Sequence, residues 1–167
     1  MNIGWIISIY WRIYFYHEKI TRSYEYQILE NLIEIAIELN KLLLENLLID
    51  VIGIIISISN DFMKKKDGIY ASEPTDIILR AVYLCILSNS DNVKNRFIER
   101  IKDKYWKKYC EMFPDEKDLL FSRLNDVDPD QLRLNPPHIL FEQKVISKLK
   151  RENISRFAEK LKQELYK

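Results

Sequence analysis

Residues 24–60 read YEYQILENLIEIAIELNKLLLENLLIDVIGIIISISN, a stretch without proline in which apolar residues outnumber polar ones. In its first half, Leu32, Ile35 and Leu39 recur at helical spacing. Glu34 and Glu38 fall on the opposite side, so this half is predicted to be an amphipathic helix. Residues 47–58 are apolar on almost every side. That pattern is typical of a helix at the centre of a bundle or in contact with lipid.

The window 41–59 raises the question of a membrane span, because about nineteen residues is the usual length of a spanning helix. Lys41, Glu45 and Asp50 lie within this window. An acidic side chain near the centre of a bilayer costs about 3 kcal/mol even on a permissive insertion scale. We therefore predict that the window is a buried helix of a bundle.

The composition favours long helices with short connections. The chain has 167 residues but only three glycines and five prolines, so turn-forming residues are scarce. Its length fits one domain. We predict an all-α, single-domain bundle of about seven helices, in which residues 30–39, 47–58 and 77–87 supply the core. Stacked helical hairpins are an alternative arrangement of the same helices.

Turn-forming and capping residues predict where several helices begin and end. Residues 62–72, FMKKKDGIYAS, combine a charge run with a glycine and predict a connection. Ser72 is then expected to cap one helix, and Ser90 or Asp91 to begin the next. Asparagine tolerates the left-handed conformation in which many helices end. The asparagines that follow apolar segments are therefore expected to end them: Asn40, Asn60 and Asn89.

The N-terminal residues 1–16, MNIGWIISIYWRIYFY, are apolar and rich in aromatic rings. They lack the positively charged start and the cleavage site of a secretory signal. As a helix they would span about 24 Å, which is shorter than the bilayer core of about 30 Å. Two interpretations of residues 1–20 stay open, a core helix or an anchor at the membrane interface. The interface residues would be Trp5, Tyr10, Trp11 and Tyr14. Residues 21–167 are predicted to form the helical domain.

Motifs for metal binding, phosphate binding and nucleophilic catalysis are absent from the sequence or fail in detail. It contains no HExxH, GxSxG or P-loop motif. Asp126, Asp128 and Asp130 alternate like the first ligands of a calcium loop, but Gln131 stands where that loop requires glycine. Pro137 stands where the loop requires a bidentate carboxylate. We therefore predict no metal and no cofactor.

Candidate catalytic residues are equally sparse. Arg133 and His138 have the Arg-x4-His spacing of some helical ribonucleases, but two prolines lie between them. Cys85 and Cys110 have neither CxxC spacing nor a histidine cluster, so both are predicted to be reduced thiols in a cytoplasmic protein. The protein is predicted to be non-enzymatic, and an enzyme of unknown class is a further alternative.

Residues 91–110 form a basic segment with interleaved aromatic rings, carrying seven basic and three acidic side chains. The formal charge is −3 for residues 1–90 and +4 for residues 91–167, so an anionic partner would meet the second part. The candidate contacts to nucleic acid or to lipid headgroups are Arg96, Arg100, Lys104, Trp106, Lys107 and Lys108. An amphipathic helix with buried rings and solvated lysines explains the same pattern without a ligand.

Together, these observations predict a non-enzymatic helical protein-interaction module, associated with the cytoplasmic face of a membrane. Its partner would be another protein or a second copy of the chain. The membrane contact depends on residues 1–16. Nucleic-acid binding through residues 91–110 is the alternative function.

Overall fold

The computed structural model describes residues 22–64, 70–135 and 140–167. Within those ranges all regular structure is helical, which confirms the predicted all-α bundle, with eight helices instead of about seven. They are α1 Arg22–Lys41, α2 Glu45–Lys64, α3 Ser72–Ser88, α4, α5 Leu119–Asp126, α6 Pro129–Leu134, α7 Leu140–Lys144 and α8 Arg151–Leu165. Helix α4 joins three segments without a break, namely α-helical Asp91–Ile101, π-helical Lys102–Trp106 and α-helical Lys107–Met112.

Helix α2 lies at the centre of the bundle and packs against α1, α3 and α4. Among the described residues it is the one helix long and apolar enough to cross a membrane. However, 67% of its apolar window is buried inside the bundle. Asp50 and Ser57 are exposed and Gly53 is half-buried between them, so only a narrow stripe faces solvent. Packing against three neighbouring helices therefore accounts for its apolar residues on nearly every side.

The connection predicted at residues 62–72 is wrong at its start, because α2 continues to Lys64. Phe62 and Met63 belong to the last turn of α2 and are buried in the core. Ser72 is the first residue of α3, and Ala71 occupies the cap position without a side-chain hydrogen bond. The lysines that follow Phe62 made the segment polar on average. Apolar side chains directly before a charge run can still complete a buried turn.

Only one of the three asparagines expected to end helices does so. Asn89 has a φ of 52° and its N–H donates to the carbonyl of Ile86. Ser90 then caps α4, because its Oγ accepts from the N–H of Val93 at 3.2 Å. Asn40 and Asn60 lie inside α1 and α2, so both predictions are wrong.

The residue that ends α1 in the left-handed conformation is Leu43, with a φ of 57°. The N–H of Leu44 donates to the carbonyl of Leu39 at 3.0 Å, and the N–H of Leu43 donates to the carbonyl of Asn40 at 3.1 Å. These two bonds define a Schellman motif, in which glycine normally takes the place of Leu43. We call residues 42–44 the leucine turn.

Two arginines in the C-terminal part of the chain donate hydrogen bonds to backbone carbonyls of neighbouring segments. Arg151, at the start of α8, donates to the carbonyls of Leu124, Asn125 and Val127, which end α5. Arg133 of α6 donates to the carbonyls of Ser147 and Leu149 at 2.6 and 3.0 Å. Carbonyls at helix ends lack intrahelical partners, so both guanidinium groups satisfy acceptors that the helices leave open.

Candidate functional site

The candidate residues of the basic segment lie in different environments along α4. Arg96, Lys104 and Lys107 are exposed, Arg100 and Lys108 are half-buried, and Trp106 is 8% exposed. Trp106 and Lys107 line one groove, whereas Arg100 lies in a separate notch beside α2. The six side chains therefore do not form one continuous basic patch.

Trp106 belongs to an aromatic cluster inside the bundle. Its ring stacks on Tyr109 with 5.7 Å between centroids and 14° between planes. Phe121 and Tyr166 approach it in edge-on geometry at 6.0 and 5.8 Å. Such contacts supply packing energy within the fold. Stacking of Trp106 on a nucleic-acid base would require the ring to leave this cluster.

The π-helical segment changes which side chains of α4 are neighbours. Its hydrogen bonds run over five residues instead of four, so Lys102 and Lys107 come to lie on the same side. A hydrogen bond joins this segment to α2: the Nδ2 of Asn60 donates to the carbonyl of Lys104 at 3.0 Å. The side chain of Asn60 thus contacts α4, while α2 continues past it to Lys64.

A groove of about 460 Å³ lies between the second half of α4 and the end of α8. It is lined by Lys102, Trp106, Lys107, Cys110, Glu111, Glu164, Leu165 and Lys167. Glu164 pairs with Lys167 at 3.2 Å and with Lys102 at 3.5 Å, and the Lys167 ammonium above all holds the pKa of Glu164 below its usual value. Lys107 forms no ion pair with any described residue. We call this feature the lysine groove.

A network of buried hydroxyl groups joins α2, α3 and α4. The hydroxyls of Ser59 and Tyr105 lie 3.1 Å apart, and they contact the Pro74 carbonyl at 2.8 and 3.2 Å. Thr75 and Tyr109 pair at 3.0 Å. Burial raises the pKa of Tyr105 far above its usual value, so its hydroxyl stays protonated. The side chains of this network are buried, and their hydroxyl groups connect three helices.

Tyr105→Phe is expected to lower the free energy of unfolding by about 1–2 kcal/mol, because the Ser59 hydroxyl loses a buried partner. Urea unfolding followed by circular dichroism measures the change. Tyr70→Phe is the control, since the Tyr70 side chain is exposed and the substitution removes the same oxygen. Equal stability of both variants would contradict a structural role for the network.

The notch beside α2 is lined by Asp50, Gly53, Ile54, Ser57 and Arg100. A Cβ atom added to Gly53 would collide with the Arg100 guanidinium, which lies against the backbone of α2. Gly53 thus permits the close approach of the arginine. The Ser57 hydroxyl donates to the Gly53 carbonyl at 3.1 Å, within its own helix.

The leucine turn is the most exposed cluster of large apolar side chains in the described ranges. Leu42, Leu43 and Leu44 are 52%, 83% and 40% exposed. Carboxylates border the turn: Glu38 pairs with Lys41 at 3.3 Å, and Glu45 accepts from the Nδ2 of Asn92 at 3.3 Å. The Asn92 bond brings the start of α4 to this end of the bundle. The site was missed from sequence because KLLLEN continues an apolar run without a glycine.

The remaining candidates supply no site in the described ranges. Trp5, Tyr10, Trp11, Tyr14 and His138 lie outside them. Arg133 is occupied by two carbonyls and by an ion pair with Asp130. The described residues contain no group of three or more potential metal ligands. The thiol of Cys85 is buried and that of Cys110 is half-buried.

Comparison with known proteins gives no relative to draw on: no family model, no curated protein and no solved structure matches the chain.

Proposed function

We propose that this protein is a non-enzymatic helical module that binds a protein partner through the leucine turn. The observation that carries the proposal is Leu43, which is 83% exposed at a φ of 57°. A left-handed conformation costs about 1–2 kcal/mol for a residue with a Cβ atom. Glycine or asparagine would avoid most of this strain, and either would expose less apolar surface. Folding stability therefore does not account for leucine at this position, whereas an apolar contact with a partner does.

The surroundings of the turn indicate the chemistry of the partner. Glu38 and Glu45 flank the three leucines, and Asp91 is exposed beside Asn92 at the same end of the bundle. Among the described carboxylates, Lys41 forms an ion pair with Glu38 alone. An apolar tip with an acidic border is complementary to an apolar cleft with a basic border.

The same border makes an anionic bilayer a poorer partner, because carboxylates and anionic headgroups repel each other. Association with the cytoplasmic face of a membrane therefore stays a prediction that depends on residues 1–20, outside the described ranges. Nucleic-acid binding stays the alternative proposal. It is supported by the basic charge of α4, while the buried ring of Trp106 does not favour it.

A photo-crosslinking amino acid at position 42 tests the proposal in the cells that make the protein. We expect a discrete protein adduct at this position and none from the crosslinker at exposed Ser155 of α8. Leu43→Asn should abolish the adduct, and it should raise the free energy of unfolding by up to about 1 kcal/mol because asparagine tolerates the left-handed conformation.

Two results would contradict a protein partner. One is the same adduct pattern from positions 42 and 155. The other is co-sedimentation of the wild type with anionic liposomes that Leu43→Asn removes, which would identify lipid as the occupant of the turn.

A further inference from the structure

Carboxylates border the leucine turn, whereas three lysines and two glutamates line the lysine groove. We propose that the occupant of the leucine turn is a second copy of this chain, with the turn of one copy seated in the lysine groove of the next. The inference rests on the proposed function and adds the identity of the partner.

The groove offers an apolar side chain some apolar contacts. Its volume is about 460 Å³, and Leu165 and Trp106 belong to its lining. Leu165 is 7% exposed and Trp106 8%, so the packing of the bundle holds both side chains in place. Leu43 is the most exposed of the three leucines and would enter first.

Charge also favours this pairing. Lys107 lines the groove without an ion-pair partner among the described residues. Glu45 borders the leucine turn, and among the described residues its carboxylate bonds to the neutral amide of Asn92 and forms no ion pair. A leucine turn in the groove would bring this carboxylate to the Lys107 ammonium, which also has no ion-pair partner in the described ranges. Opposite charges at the border set the orientation and accelerate association.

The two surfaces lie at different ends of α4. Asn92 touches the border of the turn, and the groove begins at Lys102 and extends past Lys107. At 1.5 Å per residue, positions 92 and 107 are about 22 Å apart along the helix. One copy can therefore use both surfaces at once. This contact is heterologous, so it generates a ring or an open chain of copies, unlike the self-complementary contact of a two-fold dimer.

Mixing two variants tests the inference directly. Leu43→Asn retains the groove without the apolar tip, and Lys107→Glu retains the tip with the groove charge reversed. In analytical ultracentrifugation the wild type is expected to associate with rising concentration, and each variant alone to stay at 20.1 kDa with affinity reduced at least tenfold. An equimolar mixture should form a complex of twice that mass, because one functional turn meets one functional groove. The charge exchange Glu45→Lys with Lys107→Glu should restore association.

Other outcomes overturn the inference. Association that Leu43→Asn abolishes but Lys107→Glu leaves intact would indicate a contact between two turns. A wild type that stays at 20.1 kDa up to about 1 mM excludes the second copy. In that case an adduct of another protein at position 42 would leave the proposed function standing, and the absence of any adduct would remove both.

Discussion

Ile55→Asp is expected to destabilise the fold severely. Ile55 has no solvent-exposed surface and lies on α2, which packs against three other helices. The substitution removes apolar burial and places a carboxylate among the buried apolar side chains of the core. A loss above about 4 kcal/mol is large against a total stability of about 5–15 kcal/mol. Circular dichroism at 222 nm during urea unfolding measures it.

Ser57→Asp is the matched control for this experiment. It introduces the same side chain two residues further along α2, but at an exposed position in the notch that contains Arg100. We expect a change within about 0.5 kcal/mol. If Ile55→Asp unfolded at the same urea concentration as the wild type, α2 would not be the central helix.

Arg151→Met is expected to lower the free energy of unfolding by about 3 kcal/mol, because three carbonyls at the end of α5 lose a charged donor. Methionine retains most of the apolar stem, so the loss reports the guanidinium. Lysine at the same position keeps the charge without the planar fork and should give an intermediate loss. Amide hydrogen exchange should rise first in the last turn of α5.

The control for this arginine is Arg156→Met, which removes an exposed guanidinium from the same helix. Its effect should stay within about 0.5 kcal/mol. Equal losses in the two variants would show that the contacts of Arg151 with α5 add nothing to stability.

The sequence predicts the core of this protein better than its helix ends. The pattern of apolar residues identifies residues 30–39, 47–58 and 77–87, because a helix that is apolar on one face or all round is buried to that extent. The end of α1 depends on Leu43, a residue type that local preference excludes from a left-handed turn. After Asn60, α2 continues and buries Phe62 and Met63, and the Asn60 side chain bonds to a carbonyl of Lys104, far away in the chain. Local preference does not contain such information.

The candidate contacts named from the sequence stay a prediction. Two of them, Trp106 and Lys107, line the lysine groove. Lys102 and Lys167 were missed, since the first joins Lys107 only through the π-helical turn and the second comes from the end of the chain. A signal for that turn is present, however. Buried side chains recur in α4 at strict intervals of four: Val93, Phe97, Ile101, Tyr105 and Tyr109.

That interval has a consequence for changes in chain length. On a helix of 3.6 residues per turn, each step of four advances the face by about 40°, so five such positions would wind well away from α2 and α3. The wider turn at Lys102–Trp106 absorbs part of this rotation and keeps Tyr109 in contact with Thr75. Compared with an α-helical turn, this turn contains one extra residue. Loss of one residue elsewhere in α4 would rotate every later side chain by about 100°, whereas loss of one residue from this turn would convert it to a regular α-helical turn and keep both ends in register.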